Sequence, residues 1–308
     1  MLFVNHQLWI PVFIPLLFQL PSALFLGLFF QYLGAQREWE SFRQWVPKKA
    51  LPEVHTGTAF GTCLLTDIQG SRSLSSRLHR VEYNSLMERY YDRVVLPVTQ
   101  HNGRIWDFSG DGMMCLFTAE EPQKALRQNA CRAALEILVQ VDLFNQQMGE
   151  DQQVPTRIGL HTDWVELGGK TLGDAGNTVS SIEGLNKLLS TQILTSGAAA
   201  GDLDGFLRRP VGSFLLPGKS EPLAIVELMD LRESAGESQL KLCERFADVL
   251  EAFEAGHWSK TGQLCQEILV DYPEDGPARF YLDQTRRYRD EGPPSDPMVI
   301  RIGSRENR

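Results

Sequence analysis

The chain has 308 residues, a net charge of −9, 43% hydrophobic and 22% charged residues, an ordinary globular composition with room for one full domain and smaller pieces. The acidic balance excludes a protein that wraps nucleic acid, which needs a basic face. The five cysteines (Cys63, Cys115, Cys131, Cys243 and Cys265) are odd in number and lack metal-ligand spacing, so they read as buried, reduced thiols of a cytosolic compartment.

The first charged side chain is Arg37, and Leu8–Leu33 is apolar apart from Gln19, Ser22 and Gln31. About 20 apolar residues cross a bilayer, so residues 1–36 are expected to form a single-pass transmembrane anchor, with Trp9 and Tyr32 near its two interfaces. Arg37, Arg43, Lys48 and Lys49 follow the span and no Lys or Arg precedes it. The positive-inside rule then puts the rest of the chain on the cytoplasmic side of the inner or plasma membrane.

Residues 37–56 read as a juxtamembrane linker, after which strands and helices alternate. Ala59–Thr66 is a compact apolar run, read as a buried strand. Leu86, Tyr90 and Val94 repeat at helical spacing before Pro97, and Asn102–Gly103 signals a turn. Short strands flank Ser109-Gly110-Asp111-Gly112. Leu126, Ala130, Ala133, Ile137, Val141 and Phe144 mark one long amphipathic helix. Thr156–His161 reads as a strand ending at a core histidine, and Asn177–Leu189 as a helix. Gln192–Thr195, Arg208–Leu216 and Leu223–Leu228 read as strands, with Lys219 and Glu221 in the turn before the last of them. Trp106 and Trp164 are expected in core or interface packing. The order is ferredoxin-like: a mixed α/β (α+β) sheet with helices mainly on one face. Residues 235–291 read as three helices, Gln239–Ala255, Ser259–Tyr272 and Pro277–Arg289, too few to bury their own face as a repeat array. They are expected to dock on the preceding domain or on a second chain. Residues 292–308, rich in Pro and charge, read as a disordered tail.

Four stretches carry a resemblance: TDIQGSRSLS (66–75), FSGDGMMCLF (108–117), RIGLHT (157–162) with LGDAGNTVSSIEGLNK (172–187), and LPGKSEP (216–222). In order and spacing across residues 57–230 they resemble the catalytic domain of class III adenylate/guanylate cyclases. The whole chain is similar to bacterial membrane sensor-cyclases, its residues 235–291 to a tetratricopeptide-like extension. The resemblance implies a dimer that closes the ribose 3′-oxygen of ATP or GTP onto the α-phosphate and expels pyrophosphate. It implies two Mg²⁺ or Mn²⁺ ions held by Asp67, Asp111 and the backbone carbonyl of Ile68. Gln69, Gly70 and Ser71, opening a helix, would turn N–H groups to the phosphates. For Asp67 and Asp111 the residues by themselves also allow a helix cap and a hairpin-turn residue. Asn177 matches an asparagine that orients the ribose from the other subunit, and it also suits a helix start.

Four features depart from the family pattern. Ser181 stands where the family has a transition-state arginine, and Pro217 where it has a phosphate-binding lysine. Asp107 occupies the base-selecting lysine position, where a carboxylate could accept from guanine; its partner position falls near Lys170. Only DWVELGGKT separates RIGLHT from LGD, in place of a longer glycine-containing hairpin. Two functions stay open. One is a membrane-bound cyclase working by two-metal catalysis in signal transduction. The other is a degenerate cyclase homology domain, serving as a regulatory or heterodimer partner without robust activity of its own.

Overall fold

The computed structural model describes residues 57–302 apart from 110, 119–122 and 169–171. The expected anchor and linker, residues 303–308 and Lys170 lie outside the described residues. Among these no helix is long and apolar enough to cross a membrane.

An eight-stranded mixed sheet organises the molecule, in the order β2-β3-β1-β4-β5-β7-β6-β8. The central pair is Gly57–Ile68 (β1) and Thr156–Leu167 (β4), antiparallel over their whole length. Between them in sequence come two helices, Ser71–Arg77 (α1) and Arg80–Gln100 (α2), then the hairpin Arg104–Ser109 (β2) and Gly112–Thr118 (β3), then Gln123–Gln146 (α3). Pro97 lies inside α2 instead of ending it. Only the last helical turn follows it, so few backbone bonds are disturbed. Asn102 then turns the chain with φ 62, a left-handed conformation that asparagine tolerates. Strand β4 runs past His161 to Leu167, so His161 is mid-strand; it is buried, with Nδ1 3.0 Å from Ser196 Oγ.

Gly173–Leu189 (α4) follows, then Ile193–Ser196 (β5), the short Gly197–Ala200 (α5), Phe206–Leu215 (β6) and Leu223–Leu231 (β7). Helices cover both faces of the sheet, not mainly one as the pattern suggested. The pleat decides this: successive residues of β1 point to opposite faces. Cys63 and the half-buried Leu65 pack with Ala175 and Val179 of α4. On the other face Thr156, paired with Ile68, donates to Tyr90 Oη of α2 at 3.2 Å.

Glu237–Glu254 (α6), Trp258–Asp271 (α7) and Gly276–Glu291 (α8) form the helical segment. It docks on its own sheet. Phe246, Phe253, Ile268 and Tyr281 share one buried cluster with Leu185 and Leu189 of α4, Val211 and Phe214 of β6 and Ile225 of β7. Arg209 fastens the junction: it is 2% exposed and holds Glu227 at 2.6 Å and Asp275, the N-cap of α8, at 2.5 Å. The expected disordered tail is corrected as far as residue 302. Val299–Arg301 (β8) pairs in parallel with the edge of β6, and Ile300 and Ile302 enter the core. The alternation Val-Ile-Arg-Ile gives an apolar face, and β6 offers an unpaired edge to receive it. All five cysteines are free thiols, four of them buried.

Candidate active site

The site is built where β1, β3 and β4 end together. In the antiparallel register Asp67 faces Arg157 directly, and Thr66 faces Met113 of β3, two residues past Asp111. Cross-strand neighbours on one face touch, and Arg157 Nη2 donates to Asp67 Oδ2 at 2.6 Å. Two strand positions on, Gly159 lets α4 approach the sheet. A Cβ there would meet Val179 O and Glu183 N at 2.7 Å each. Glu183 is thereby set beside Arg157, its Oε1 3.1 Å from Arg157 Nε, a contact of charges without hydrogen-bond geometry. The buried Asn186 fastens helix to strand by donating to the Ile158 carbonyl at 3.0 Å.

Three carboxylates and one guanidinium thus meet at one point. Burial raises the Asp67 carboxyl above its ordinary value, the Arg157 hydrogen bond opposes this, and the charge of Asp111, within hydrogen-bonding reach, raises it again. Glu183 is pushed up to about 7, chiefly by burial and then by the charge of Asp67, with Arg157 again opposing. Asp111 Oδ2 is buried without a hydrogen-bond partner among the described residues. An unpartnered buried carboxylate oxygen is costly unless a cation or proton meets it.

The cluster opens on a cavity of about 420 Å³. Asp67, Ile68, Gly70, Ser71 and Asp111 all line it, so the structure brings these five expected residues together. The cap reading of Asp67 fails: the N-cap of α1 is Gly70, with φ 76, and Asp67 is engaged by Arg157. Gln69 is a correction. Its N–H donates to the Pro155 carbonyl at 2.7 Å, so it has no hydrogen left for a phosphate, and it does not line the cavity.

Four expected positions lie off this cavity within the chain. Asp107, half-buried on β2, accepts from the Phe108 N–H at 2.9 Å. Asn177 is exposed in the second turn of α4, which begins at Gly173, so the helix-start reading of Asn177 fails. Ser181 folds its hydroxyl back onto the Asn177 carbonyl at 3.1 Å, one turn before the cavity residue Gly184. Pro217 is exposed in the turn after β6. In the same turn Lys219 is held by Asp174 of α4. Trp106 packs against the Cys63 cluster. Trp164 is 65% exposed, edge-on to Phe60 at 5.8 Å, which leaves it a surface residue and not a core one.

The donor set suits a divalent cation: two carboxyl groups within hydrogen-bonding reach, one of them with a buried free oxygen. Among the described residues no three His, Cys, Asp or Glu side chains make a metal centre by themselves. Sequence reasoning missed Arg157 and Glu183 as site residues. Both stand in quoted motifs, but only the strand register and the Gly159 contact bring them to Asp67.

No family model matches the chain. Adenylate cyclase 1 of Rhizobium meliloti is 27% identical over 210 residues, covering 61% of this chain and 32% of that protein. The adenylate cyclase of Anabaena cylindrica is 26% identical over 219 residues, covering 61% of this chain and 43% of that one. The chain thus matches less than half the length of either relative. Among solved structures, the adenylyl cyclase CyaB from P. aeruginosa superposes with a TM-score of 0.52 at 22% identity, over 59% of this chain and 100% of that one. A bacterial light-regulated adenylyl cyclase does so with a TM-score of 0.52 at 18% identity, over 71% and 69%. The mixed α/β sheet is therefore of the fold seen in these cyclase domains, and the sequence is similar to adenylate cyclases.

Proposed function

We propose that the chain is a class III nucleotidyl cyclase, converting ATP or GTP to the cyclic nucleotide and pyrophosphate with Mg²⁺ or Mn²⁺. The observation that carries this reading is the convergence of Asp67 and the partly unpartnered Asp111 on one cavity. These two carboxylates and the Ile68 carbonyl would hold the cations, which supply charge for the phosphate oxygens and acidify the ribose hydroxyl. Gly70 and Ser71 leave the chain's backbone open to a bound phosphate at the end of β1. Arg157 opposes the rise that burial gives the Asp67 carboxyl, and Glu183 lies beside Arg157 as a second negative charge. Asn177, on the exposed side of α4, faces outward as a residue serving a second subunit must, which supports a dimer.

The test is cyclic-nucleotide production by the full-length protein with Mn²⁺, given ATP and GTP separately, beside calorimetric Mn²⁺ binding with and without nucleotide. Nucleotide is expected to tighten Mn²⁺ binding, and Asp67→Ala to abolish that coupling. Identical calorimetry in wild type and variant would place the cation elsewhere.

The second reading, a partner chain without robust activity of its own, is favoured by one observation. At Ser181 a hydroxyl satisfied within its own helix replaces a cation. It is tested by mixing this chain with a cyclase lacking only its metal aspartates. Activity in the mixture and none in either chain alone supports the pairing role.

We also propose that Leu8–Leu33 anchors the protein, with the site facing the cytoplasm. The charge-free run and the Lys/Arg that follow it support this. Release of intact protein by carbonate would overturn it.

A further inference from the structure

We infer that the cleft between α8, β8 and the end of α4 binds a phosphate monoester carried on an apolar body. The cleft holds about 230 Å³ and shares no lining residue with the carboxylate cavity. Its floor is apolar. Ile300 and Ile302 of β8 are buried, and Leu188 of α4 and Phe280 of α8 are partly buried against the same cluster that seats the helical segment. The junction itself fixes the walls: a Cβ at Gly276 would run into the Leu189 carbonyl, so α8 starts hard against the end of α4.

The rim is polar. On α8, Phe280, Gln284 and Arg287 lie at helical spacing and so share one side, and all three line the cleft. Arg301 reaches it from β8, and Ser190 from the left-handed C-cap of α4. Among the described residues no side-chain hydrogen bond or ion pair engages Ser190, Gln284, Arg287 or Arg301. The other charges on the lining are occupied. Asp283 is paired with Arg286 at 3.2 Å, and Arg279 donates to the Pro273 carbonyl at 2.5 Å, with Glu274 at 3.9 Å. Two guanidinium groups are thus left to a ligand, in a chain whose net charge is −9. They match a phosphate monoester, which carries about −1.5 to −2 charge near neutral pH and three strong acceptor oxygens. A carboxylate brings a single charge and two oxygens. The arginine fork bonds phosphate oxygens in pairs, and Ser190 and Gln284 add neutral donors beside it. The apolar floor asks for a body on the ester, since burying it removes apolar surface from water. That chemistry belongs to a free small phosphate ester or to the headgroup of a phosphomonoester lipid.

The test is calorimetric titration of the full-length protein with phenyl phosphate, inorganic phosphate and soluble dihexanoyl phosphatidic acid. A chelator is present, so that no divalent cation holds phosphate in the carboxylate cavity. Phenyl phosphate should bind about tenfold more tightly than inorganic phosphate, through the floor. Arg287→Ala and Arg301→Gln should each weaken it about tenfold, the scale of one charge-assisted contact. Arg301→Lys should weaken it less than Arg301→Gln, since it keeps the charge without the fork. Both positions are exposed, so these variants are expected to melt like wild type. Phosphatidic acid binding more tightly than phenyl phosphate supports the lipid headgroup as the source of the ester, and the reverse order supports a free small molecule. Wild type that binds neither ester would overturn the inference. So would undiminished binding in the double variant Arg287→Ala/Arg301→Gln, which places the phosphate elsewhere, or equal binding of phenyl and inorganic phosphate, which leaves the apolar floor unused.

Discussion

Replacing Glu183 by glutamine probes the charge cluster without touching its shape. Folding raises the Glu183 carboxyl from an ordinary 4.5 to about 7. An acid whose value rises on folding contributes stability that is fully present below its unfolded value. That contribution is lost as pH climbs through the folded value. The window is therefore pH 4.5 to about 7, and at 1.36 kcal/mol per unit the loss amounts to about 3 kcal/mol at pH 8. Its source is visible in the structure: the carboxylate is taken from water beside Asp67 and Asp111, with one guanidinium shared between it and Asp67. Glutamine mimics the protonated acid in size and neutrality. Glu183→Gln should thus match wild type within about 1 kcal/mol at pH 5 and exceed it by about 3 kcal/mol at pH 8. Urea denaturation at the two pH values, with a chelator present, reads both numbers. Parallel pH dependence in the two proteins would refute the reasoning. A wild type favoured at pH 8 would show that the Arg157 attraction outweighs burial.

Two further substitutions test the supports of the site. Gly159→Ala drives a Cβ into the α4 backbone at 2.7 Å and should destabilise by about 1–3 kcal/mol in a thermal melt, as overpacking does; an unchanged melting temperature would mean that α4 does not rest on β4 there. Arg209→Met leaves Glu227 and Asp275 buried without their counter-charge and should destabilise by about 3–5 kcal/mol, with faster proteolysis near α8 than elsewhere; equal protection of α8 in both proteins would show that apolar packing alone holds the helical segment.

The parts of the fold that follow from local patterning were legible in the sequence. The long helix over Leu126–Phe144, the turn at Asn102 and the three C-terminal helices appear within a few residues of their expected ends. That Asp67 and Asp111 line one cavity was expected from the family resemblance, in which one aspartate ends a strand and the other sits in a glycine-flanked turn. Contacts between distant strands were not. That Asp67 faces Arg157 follows from a register that no single strand contains. The fate of the Gln69 N–H depends on Pro155, which is remote in sequence. The last strand was misread because Pro and charge in residues 292–298 mask the alternating Val299–Ile302, whose partner is the open edge of β6. Helices on both faces were missed although the unbroken apolar run of β1 is itself the mark of a strand covered on two sides, because the ferredoxin-like order alone set the expectation.

One helix links the gains and losses at this site. The inward side of α4 carries Val179, Glu183 and Asn186, which seat it on β4 through Gly159 and complete the charge cluster. Its outer side carries Asn177, Ser181, Gly184 and Lys187, running from the exposed surface to the cavity rim. The inward residues seat the helix: Gly159 admits its backbone, and Asn186 ties it to β4. On the outer side Ser181 bonds only backward along the helix among the contacts described. Substitution on that side leaves the fold intact while changing which charges a nucleotide or a second subunit meets. The departure at Ser181 accordingly changes what that surface presents and leaves the helix in its seat.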